Sequence, residues 1–393
     1  MNPARPSLPV YFGTYTKRGS RGIYRCEFSA ENGSLGRPRL VAETPEPSFL
    51  AMHPSGKIVY AVNELRSFEG RATGTVSAFR VGVGDELWEC AGRCETGGAS
   101  PCHLAVAPGG GGLLVTNYNG CNVARVGLSE RGDLAGLLST HPHPGRSVHP
   151  MRQTCSHPHT LNVDSTGKCA WVADLGLDQL VPYRLDPATG EMSADPIGRV
   201  ALPPGTGPRQ TAFHPAGRFF FVLGELDASL TVLQVGAGTT PPRASETVSL
   251  LREDADGKSG AEVAVHPNGR FVYASNRAEN GSIAIFGFEP AAGRLARLGV
   301  VDTGGKLPRH FALSPDGAWL IAANQDNDVV TVFSVEAGTG ALEPASQCEV
   351  PEPTCVLWER TSVHACHHPG APSLHFSRPI RPTAARWTVG ARR

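Results

Sequence analysis

A pattern of two apolar strands around a glycine-containing turn occurs six times in this chain of 393 residues. The first copy is SFLAMHPSGKIVYAVNE, at residues 48–64. The turn glycines follow one another at intervals of 48 to 57 residues. They are Gly56, Gly110, Gly167, Gly217, Gly269 and Gly317. A repeat of this length indicates that each copy forms one structural unit, which buries its apolar surface against its neighbours.

Two further positions recur around each turn glycine. The residue nine positions before it is proline in five of the six copies and Gly260 in the other, and the residue seven positions after it is always Asn, Asp or Gly. A third apolar segment such as 74–80 follows, and then a fourth, more polar one. Four short strands in a repeat of about 50 residues are typical of a β-propeller blade.

The two ends of the chain carry incomplete copies of the repeat. Residues 353–358 match a first strand, and nothing resembling a second strand follows them. Residues 9–15 resemble a second strand and residues 22–28 a third, with no first strand before them. We therefore predict an all-β, seven-bladed β-propeller at residues 8–358, closed by a C-terminal strand that completes the N-terminal blade. Two separate all-β domains would leave these half-blades unexplained.

Charge and composition narrow the possible partners. The chain has 36 Lys and Arg against 36 Asp and Glu, so we expect no binding to nucleic acid. It contains no run of 18 apolar residues and no apolar stretch typical of a signal peptide near its start. We therefore expect no membrane contact and a cytoplasmic location. The ten cysteines show neither metal-ligand nor CxxC spacing, and in the reducing cytosol we expect them to be free thiols. A closed ring leaves no unpaired sheet edge, so we expect a monomer.

Residues 359–393 lie outside the repeat. They contain six arginines and one glutamate among prolines and small residues, a composition that predicts a disordered, basic tail. Such a tail could contact an acidic partner or RNA, and the cluster Cys366-His367-His368 could take up a metal adventitiously. A floppy extension without a specific role is the simpler interpretation.

The repeat also predicts where a functional site lies. The first strand of a blade lines the central channel and the second returns beside it, so residues eight before and eight after the turn glycine share one end of the ring. At this end ionisable residues differ from blade to blade: His159, Arg209, Glu225 and Arg277. The HP turns at the other end are nearly identical. We infer a site for a small anionic molecule; solvated rim residues or ion pairs between blades are the alternative.

Further residues are predicted to bind substrate at the same end of the ring. They are His103, His157, Glu64, Tyr118, Arg309 and Gln325. The neighbouring positions, one residue further along the first strands, add Glu262 and His310. The sequence contains no GxxxxGK[ST], HExxH, EF-hand or GxSxG motif, so we expect neither a cofactor nor a metal.

Many segments resemble the seven-bladed propeller lactonase family, which includes the bacterial-type 6-phosphogluconolactonase and the carboxy-cis,cis-muconate cyclase. The resemblance extends over nearly all of residues 8–358. It is carried by segments such as YFGTYT, SPCHLAVAP, HPHTLNVDSTG, GPRQTAFHPAGRFFFVLGELDASLTV, AEVAVHPNGRFVYASNR and PRHFALSPDGAWLIAANQDNDVVTVF. The family's catalytic His, Arg, Glu and Arg fall on His159, Arg209, Glu225 and Arg277, the same four residues.

The resemblance implies hydrolysis of a sugar-acid lactone, with 6-phosphogluconolactone as the expected substrate. Glu225 or His159 would take a proton from water, and the other would protonate the leaving oxygen. Arg209 and Arg277 would stabilise the oxyanion or hold an anionic group of the substrate. Two alternatives stay open: a muconate-type lactonising cyclase, which is an isomerase, and a propeller that binds partners without catalysis.

Overall fold

The structure is a computed structural model that describes residues 7–82, 88–195, 197–236, 240–252, 257–278 and 280–359. These residues form 29 β-strands in seven sheets. The predicted tail, apart from Glu359, lies outside the described residues.

Each sheet is one blade, and we number the blades in chain order. Blade 1 contains β1 (Leu8–Thr14), β2 (Gly22–Phe28) and β3 (Arg39–Glu43). Blade 2 contains β4 (Leu50–Met52), β5 (Ile58–Asn63), β6 (Thr75–Arg80) and β7 (Glu89–Glu95). Blade 3 contains β8 (Pro101–Val106), β9 (Gly112–Asn117), β10 (Asn122–Leu128) and β11 (Leu134–Pro142). Blade 4 contains β12 (Pro158–Val163), β13 (Cys169–Asp174), β14 (Gln179–Leu185), β15 (Met192–Ala194) and the short β16 (Val200–Ala201).

The remaining blades follow the same antiparallel order. Blade 5 contains β17 (Pro208–Phe213), β18 (Phe219–Gly224), β19 (Ser229–Gln234) and β20 (Arg243–Ser249). Blade 6 contains β21 (Gly260–Val265), β22 (Phe271–Asn276), β23 (Ser282–Glu289) and β24 (Arg294–Asp302). Blade 7 contains β25 (Pro308–Leu313), β26 (Trp319–Asn324), β27 (Val329–Val335) and β28 (Leu342–Glu349). The last strand, β29 (Pro353–Trp358), belongs to blade 1.

The ring closes between the two ends of the propeller, as predicted. Strand β29 pairs antiparallel with β1, with Val10 opposite Trp358 and Phe12 opposite Val356. These side chains pack in one apolar cluster with Ile321 of blade 7. The all-β, seven-bladed architecture is confirmed, and the closing strand gives blade 1 the innermost strand that the N-terminal segment lacks.

Burial explains why the second strands show no alternation of polar and apolar residues. Strands β5, β9, β18 and β22 are buried along their whole length, because a blade packs on its neighbour through each face. Between blades 5 and 6, for example, Phe221 meets Phe288 edge to face at 5.0 Å. Aromatic pairs of this kind add about 1 kcal/mol to the burial itself.

The HP turns lie at the opposite end of the ring from the predicted site. The Nε2 atom of His214 lies 3.0 Å from the Gly269 carbonyl of the next blade, and His266 makes the same bond to Gly317 at 3.1 Å. These repeated histidines therefore link neighbouring turns. Within the described ranges, helix is limited to one 3₁₀ turn at Gln325–Asn327, and no helix there is long enough to cross a membrane.

Candidate active site

The ends of the innermost strands meet the starts of the loops after the second strands at one face, which we call the mouth face. The Glu225 amide donates to the Gly207 carbonyl at 2.8 Å, and the Arg277 amide donates to Ser259 at 2.7 Å. Corresponding bonds occur in the other repeats. The residue eight positions after a turn glycine therefore lies at the same end as the residue eight before it, as the repeat predicts.

A cavity opens at the mouth face along the channel axis. All its lining residues belong to two rings. The outer ring contains the residues that directly follow the proline opening an innermost strand: Ser48, Cys102, His159, Arg209, Arg309 and Thr354. The inner ring contains the next residue along each strand: Phe49, His103, Thr160, Gln210, Glu262 and His310. The cavity is thus built from the start of every innermost strand.

Backbone bulges explain how two consecutive residues can both line the cavity. In β12 the pairing passes from Pro158 directly to Thr160, and in β17 from Pro208 directly to Gln210. Similar shifts occur in β8, β21, β25 and β29. A regular strand would turn alternate side chains away from the channel, whereas a bulge re-aims one of them. The bulges therefore place a second ring of side chains in the cavity.

Glu225 lies at the centre of a cluster of arginines at the cavity mouth. Its Oε2 atom is 3.0 Å from Nε of Arg209 and 3.0 Å from Nη2 of Arg277 in the next blade. Its Oε1 atom accepts a hydrogen bond from Arg152. Burial opposes ionisation, but the three guanidinium groups outweigh it and lower the pKa of Glu225 to about 2. The carboxylate is therefore ionised and a weak base.

The two arginines beside Glu225 keep donor capacity for a ligand. Burial and the nearby Arg277 lower the pKa of Arg209 to about 10, so its guanidinium stays charged at neutral pH. Arg209 also donates through Nη1 to the Ala261 carbonyl. The buried Nε atom of Arg277 has no hydrogen-bond partner among the described residues. An unpaired buried donor is costly, and an anion bound here would satisfy it.

His159 is a neutral base at the edge of the same cavity. His159 is only 8% exposed. Burial, together with the positive charges of Arg209, Arg309 and Arg277, holds the pKa of its imidazole well below the usual 6.5. The Nδ1 atom lies 3.4 Å from Oγ1 of Thr160, and the described residues offer Nε2 no hydrogen bond. An uncharged imidazole with one free nitrogen can accept a proton from water.

The second arginine that lines the cavity is held from the opposite side. Arg309 Nη2 is 3.8 Å from Oε2 of Glu64, and its guanidinium lies 4.9 Å from the centre of the Tyr15 ring. The Tyr15 hydroxyl donates to Glu64 at 2.9 Å. Glu64 therefore does not line the cavity itself but orients Arg309, which does.

The other residues predicted to bind substrate differ in position. His103 lines the inner ring and packs on Phe49 with ring centres 4.2 Å apart. Tyr118 and His157 stack on each other at 4.2 Å beside the mouth, and Gln325 starts the 3₁₀ turn near the rim. These last three are not among the residues that line the cavity.

The reasoning from sequence missed one residue of the site and noted a second without giving it a role. Arg152 reaches Glu225 from the connection between β11 and β12, which has no counterpart in the repeat. The longest interval between turn glycines, 57 residues from Gly110 to Gly167, signals this insertion. Glu262 occupies a position that the sequence analysis placed next to the site. A glutamate at that position can equally well have a structural role, so the residue type alone did not identify it as a functional residue.

Thiols and possible metal donors form no additional centre. Nine cysteines are free in the part of the chain that the structure describes, and Cys366 lies outside it. The same part contains no group of three or more His, Cys, Asp or Glu side chains arranged to hold a metal ion. The mouth face therefore presents arginines, carboxyl groups, imidazoles and the thiol of Cys102.

Comparison with known proteins gives the same picture. The family model described as "Lactonase, 7-bladed beta-propeller" matches residues 9–358. The 6-phosphogluconolactonase of Bacillus subtilis (strain 168) is 31% identical over 348 residues, which is 88% of this chain and 97% of the relative. The 6-phosphogluconolactonase of Formosa agariphila is 26% identical over 341 residues, or 86% of this chain and 95% of the relative.

A solved structure shows a similar three-dimensional arrangement. The periplasmic gluconolactonase of Pseudomonas aeruginosa superimposes with a TM-score of 0.84 and 28% identity, and the match covers 90% of this chain and 99% of the other. The family model, the relatives and this structure agree over nearly the whole propeller. The chain belongs to the seven-bladed β-propeller lactonase family and is a lactone-hydrolysing enzyme of the carboxylic-ester hydrolase class.

Proposed function

We propose that this enzyme hydrolyses 6-phosphogluconolactone to 6-phosphogluconate, the lactonase step of the pentose phosphate pathway. The observation that carries the proposal is the charge at the cavity mouth. Four guanidinium groups, of Arg152, Arg209, Arg277 and Arg309, face only two paired carboxylates, Glu225 and Glu64. The excess of positive charge fits an anionic substrate, and the two relatives described above carry the name of this activity.

The residues suggest a division of labour within the reaction. His159 accepts a proton from water as the oxygen attacks the lactone carbonyl, because its imidazole is neutral and has a free nitrogen. Arg209 and Arg277 stabilise the negative charge on the tetrahedral intermediate or hold the phosphate. Glu225 orients these arginines, because its low pKa makes it a poor base. The geometry thus favours His159 over Glu225 as the base.

The alternative functions gain no support of their own from the structure. A lactonising cyclase would use the same side chains, and no contact favours it. A binding platform would need a large apolar patch, whereas the large exposed apolar side chains that the described residues contain are few, such as Leu138, Met151 and Leu298.

A comparison of substrates tests the proposal. Fresh 6-phosphoglucono-δ-lactone, unphosphorylated glucono-δ-lactone and a carboxymuconate would each be mixed with the wild-type protein, and spontaneous hydrolysis would be subtracted. We expect faster opening of the phosphorylated lactone than of the unphosphorylated one, because the arginines recognise phosphate. Equal rates for the two lactones would contradict the phosphate preference, and turnover of the muconate alone would indicate the cyclase.

A further inference from the structure

One buried carboxyl group in the cavity has no part in the reaction as described so far. Glu262 belongs to β21 and lies in the inner ring, in the same cavity wall as Arg209 and His159. Glu262 is only 6% exposed to solvent. A carboxyl group is seldom buried this deeply without a cation beside it, so its surroundings need an explanation.

Glu262 accepts two hydrogen bonds, which favour its charged form, but they do not outweigh the cost of burying that charge. Its Oε2 atom accepts a hydrogen bond from Nε2 of Gln210 at 3.0 Å, and Oε1 accepts one from the Val263 amide at 3.2 Å. Nε2 of His310 lies 3.6 Å from Oε2, which is longer than a hydrogen bond. Among the described residues no arginine or lysine forms an ion pair with Glu262.

Glu225, beside the cavity, and Glu262, in its wall, have very different surroundings. Arg209 forms an ion pair with Glu225, its Nε lying 3.0 Å from Oε2, and donates through Nη1 to the Ala261 carbonyl, whereas it forms no ion pair with Glu262. Burial therefore dominates at Glu262 and raises its pKa to about 7. Two carboxyl groups in one site with well-separated pKa values commonly act as different partners in acid–base chemistry.

Opening a lactone requires a proton donor, and before the reaction begins neither the imidazoles of the cavity nor the nearby Glu225 holds an acidic proton to donate. When the ring C–O bond breaks, the leaving oxygen is an alkoxide that must be protonated. Burial lowers the pKa of both His103 and His310 to about 3, so these imidazoles are neutral. His159 is neutral as well, and Glu225 has lost its proton.

We propose that Glu262 is a further catalytic residue of this site, the general acid that protonates the ring oxygen as the lactone opens. The inference rests on the proposed lactonase function. Water gives one proton to His159 and its oxygen bonds to the carbonyl carbon. The ring C–O bond then breaks, and its oxygen takes the proton of Glu262. The imidazolium of His159 finally passes its proton to the Glu262 carboxylate, directly or through solvent, which restores both groups.

The pH dependence follows from the groups that surround Glu262. Arg209 and Gln210 from β17, His310 from β25 and Cys355 from β29 interact with it, and the same cavity wall contains Cys102 and His103 from β8, His159 from β12 and Arg309 from β25. The arginines keep their charge and the histidines stay uncharged at neutral pH, so Glu262 is the group of this set that titrates there. Its protonated form is the active one, and kcat/KM is expected to fall as the pH rises above about 7.

The variant Glu262→Gln tests this role through the pH profile. It keeps the shape of a protonated carboxyl group but has no proton to give, so we expect kcat to fall by about 10²-fold or more at pH 6. The decline of the wild-type rate above neutral pH should also disappear. Glu262→Asp should retain that decline at a reduced rate. The matched control is Glu246→Gln in β20, a half-buried glutamate outside the cavity, which should leave both rate and profile unchanged.

Each outcome separates this inference from the proposed function. A wild-type rate equal to spontaneous hydrolysis for every lactone would overturn the lactonase proposal, and the role of Glu262 with it. An active wild type with a Glu262→Gln variant of similar rate and unchanged decline would overturn the role of Glu262 alone. A lower rate at every pH with the decline retained would do the same, because it would indicate a positioning residue. Thermal unfolding of each variant would verify that it is folded.

Discussion

The free energy stored in the arginine cluster can be measured by removing the charge of Glu225. The variant Glu225→Gln keeps the shape of the side chain but leaves Arg209 and Arg277 buried without a counter-ion. The pKa of Glu225 falls from its ordinary value of 4.5 to about 2, which corresponds to about 3 kcal/mol of folding free energy at neutral pH. The half-exposed Arg152 contributes less to this sum, because solvent screens it.

The sign of the effect sets its pH dependence. Glu225 has a lowered pKa in the folded state, so its stabilisation is complete above pH 4.5 and disappears as the pH falls through about 2. The difference in unfolding free energy between wild type and variant should be about 3 kcal/mol at pH 7 and about 1 kcal/mol at pH 3. For a propeller of this size the larger value lowers Tm by about 4 °C.

Urea unfolding at pH 7 and pH 3 is the assay. Glu352→Gln is a suitable control, because this buried glutamate pairs with the half-exposed Arg18 and should lose only about 1 kcal/mol or less. A Glu225→Gln variant as stable as wild type at pH 7 would refute the reasoning. A difference that stays constant between the two pH values would refute it as well, since it would show that lost packing and not lost charge destabilises the variant.

Two further predictions concern the fold and the buried carboxyl group. The pKa of Glu262 is raised to about 7, so its ionisation destabilises the folded protein. The Glu262→Gln variant should therefore be more stable than wild type by up to about 3 kcal/mol at pH 8 and equally stable at pH 4. Urea unfolding that shows no gain in stability at pH 8 would contradict this. A chain ending at Glu352 lacks β29 and should lose cooperative thermal unfolding, whereas a control chain ending at Glu359 should keep it. A cooperative thermal transition of the shorter chain would show that ring closure is dispensable.

The fold could be predicted from the sequence because every blade repeats the same local signals. Most blades are marked by their own apolar strands, a turn glycine and a proline that opens the first strand. The half-blades at the two ends of the chain are explained most simply by ring closure. The position of Glu225 and Arg277 at the mouth follows from the same register, and the backbone bonds at these residues agree with it.

Features that depend on contacts between blades could not be predicted in this way. The bulges in the innermost strands bring a second ring of side chains into the cavity. Most of them follow the proline that opens the strand, but a proline alone does not distinguish a bulge from a regular strand start. Arg152 comes from a connection that occurs once, so the repeat carries no information about it. The interpretation of the mouth residues as ion pairs between blades is also partly correct, because Glu225 of blade 5 pairs with Arg277 of blade 6.

The most direct test of the account measures the loss of fresh 6-phosphoglucono-δ-lactone with wild-type protein, with Arg209→Ala and without protein. Arg270→Ala, at the opposite face of the ring, is the matched control. We expect clear acceleration by the wild type and the control, and a loss of about 10²- to 10³-fold in kcat for Arg209→Ala, because a charged donor to the oxyanion is removed. An Arg209→Ala variant as fast as wild type would contradict the assignment of the active site to this cavity.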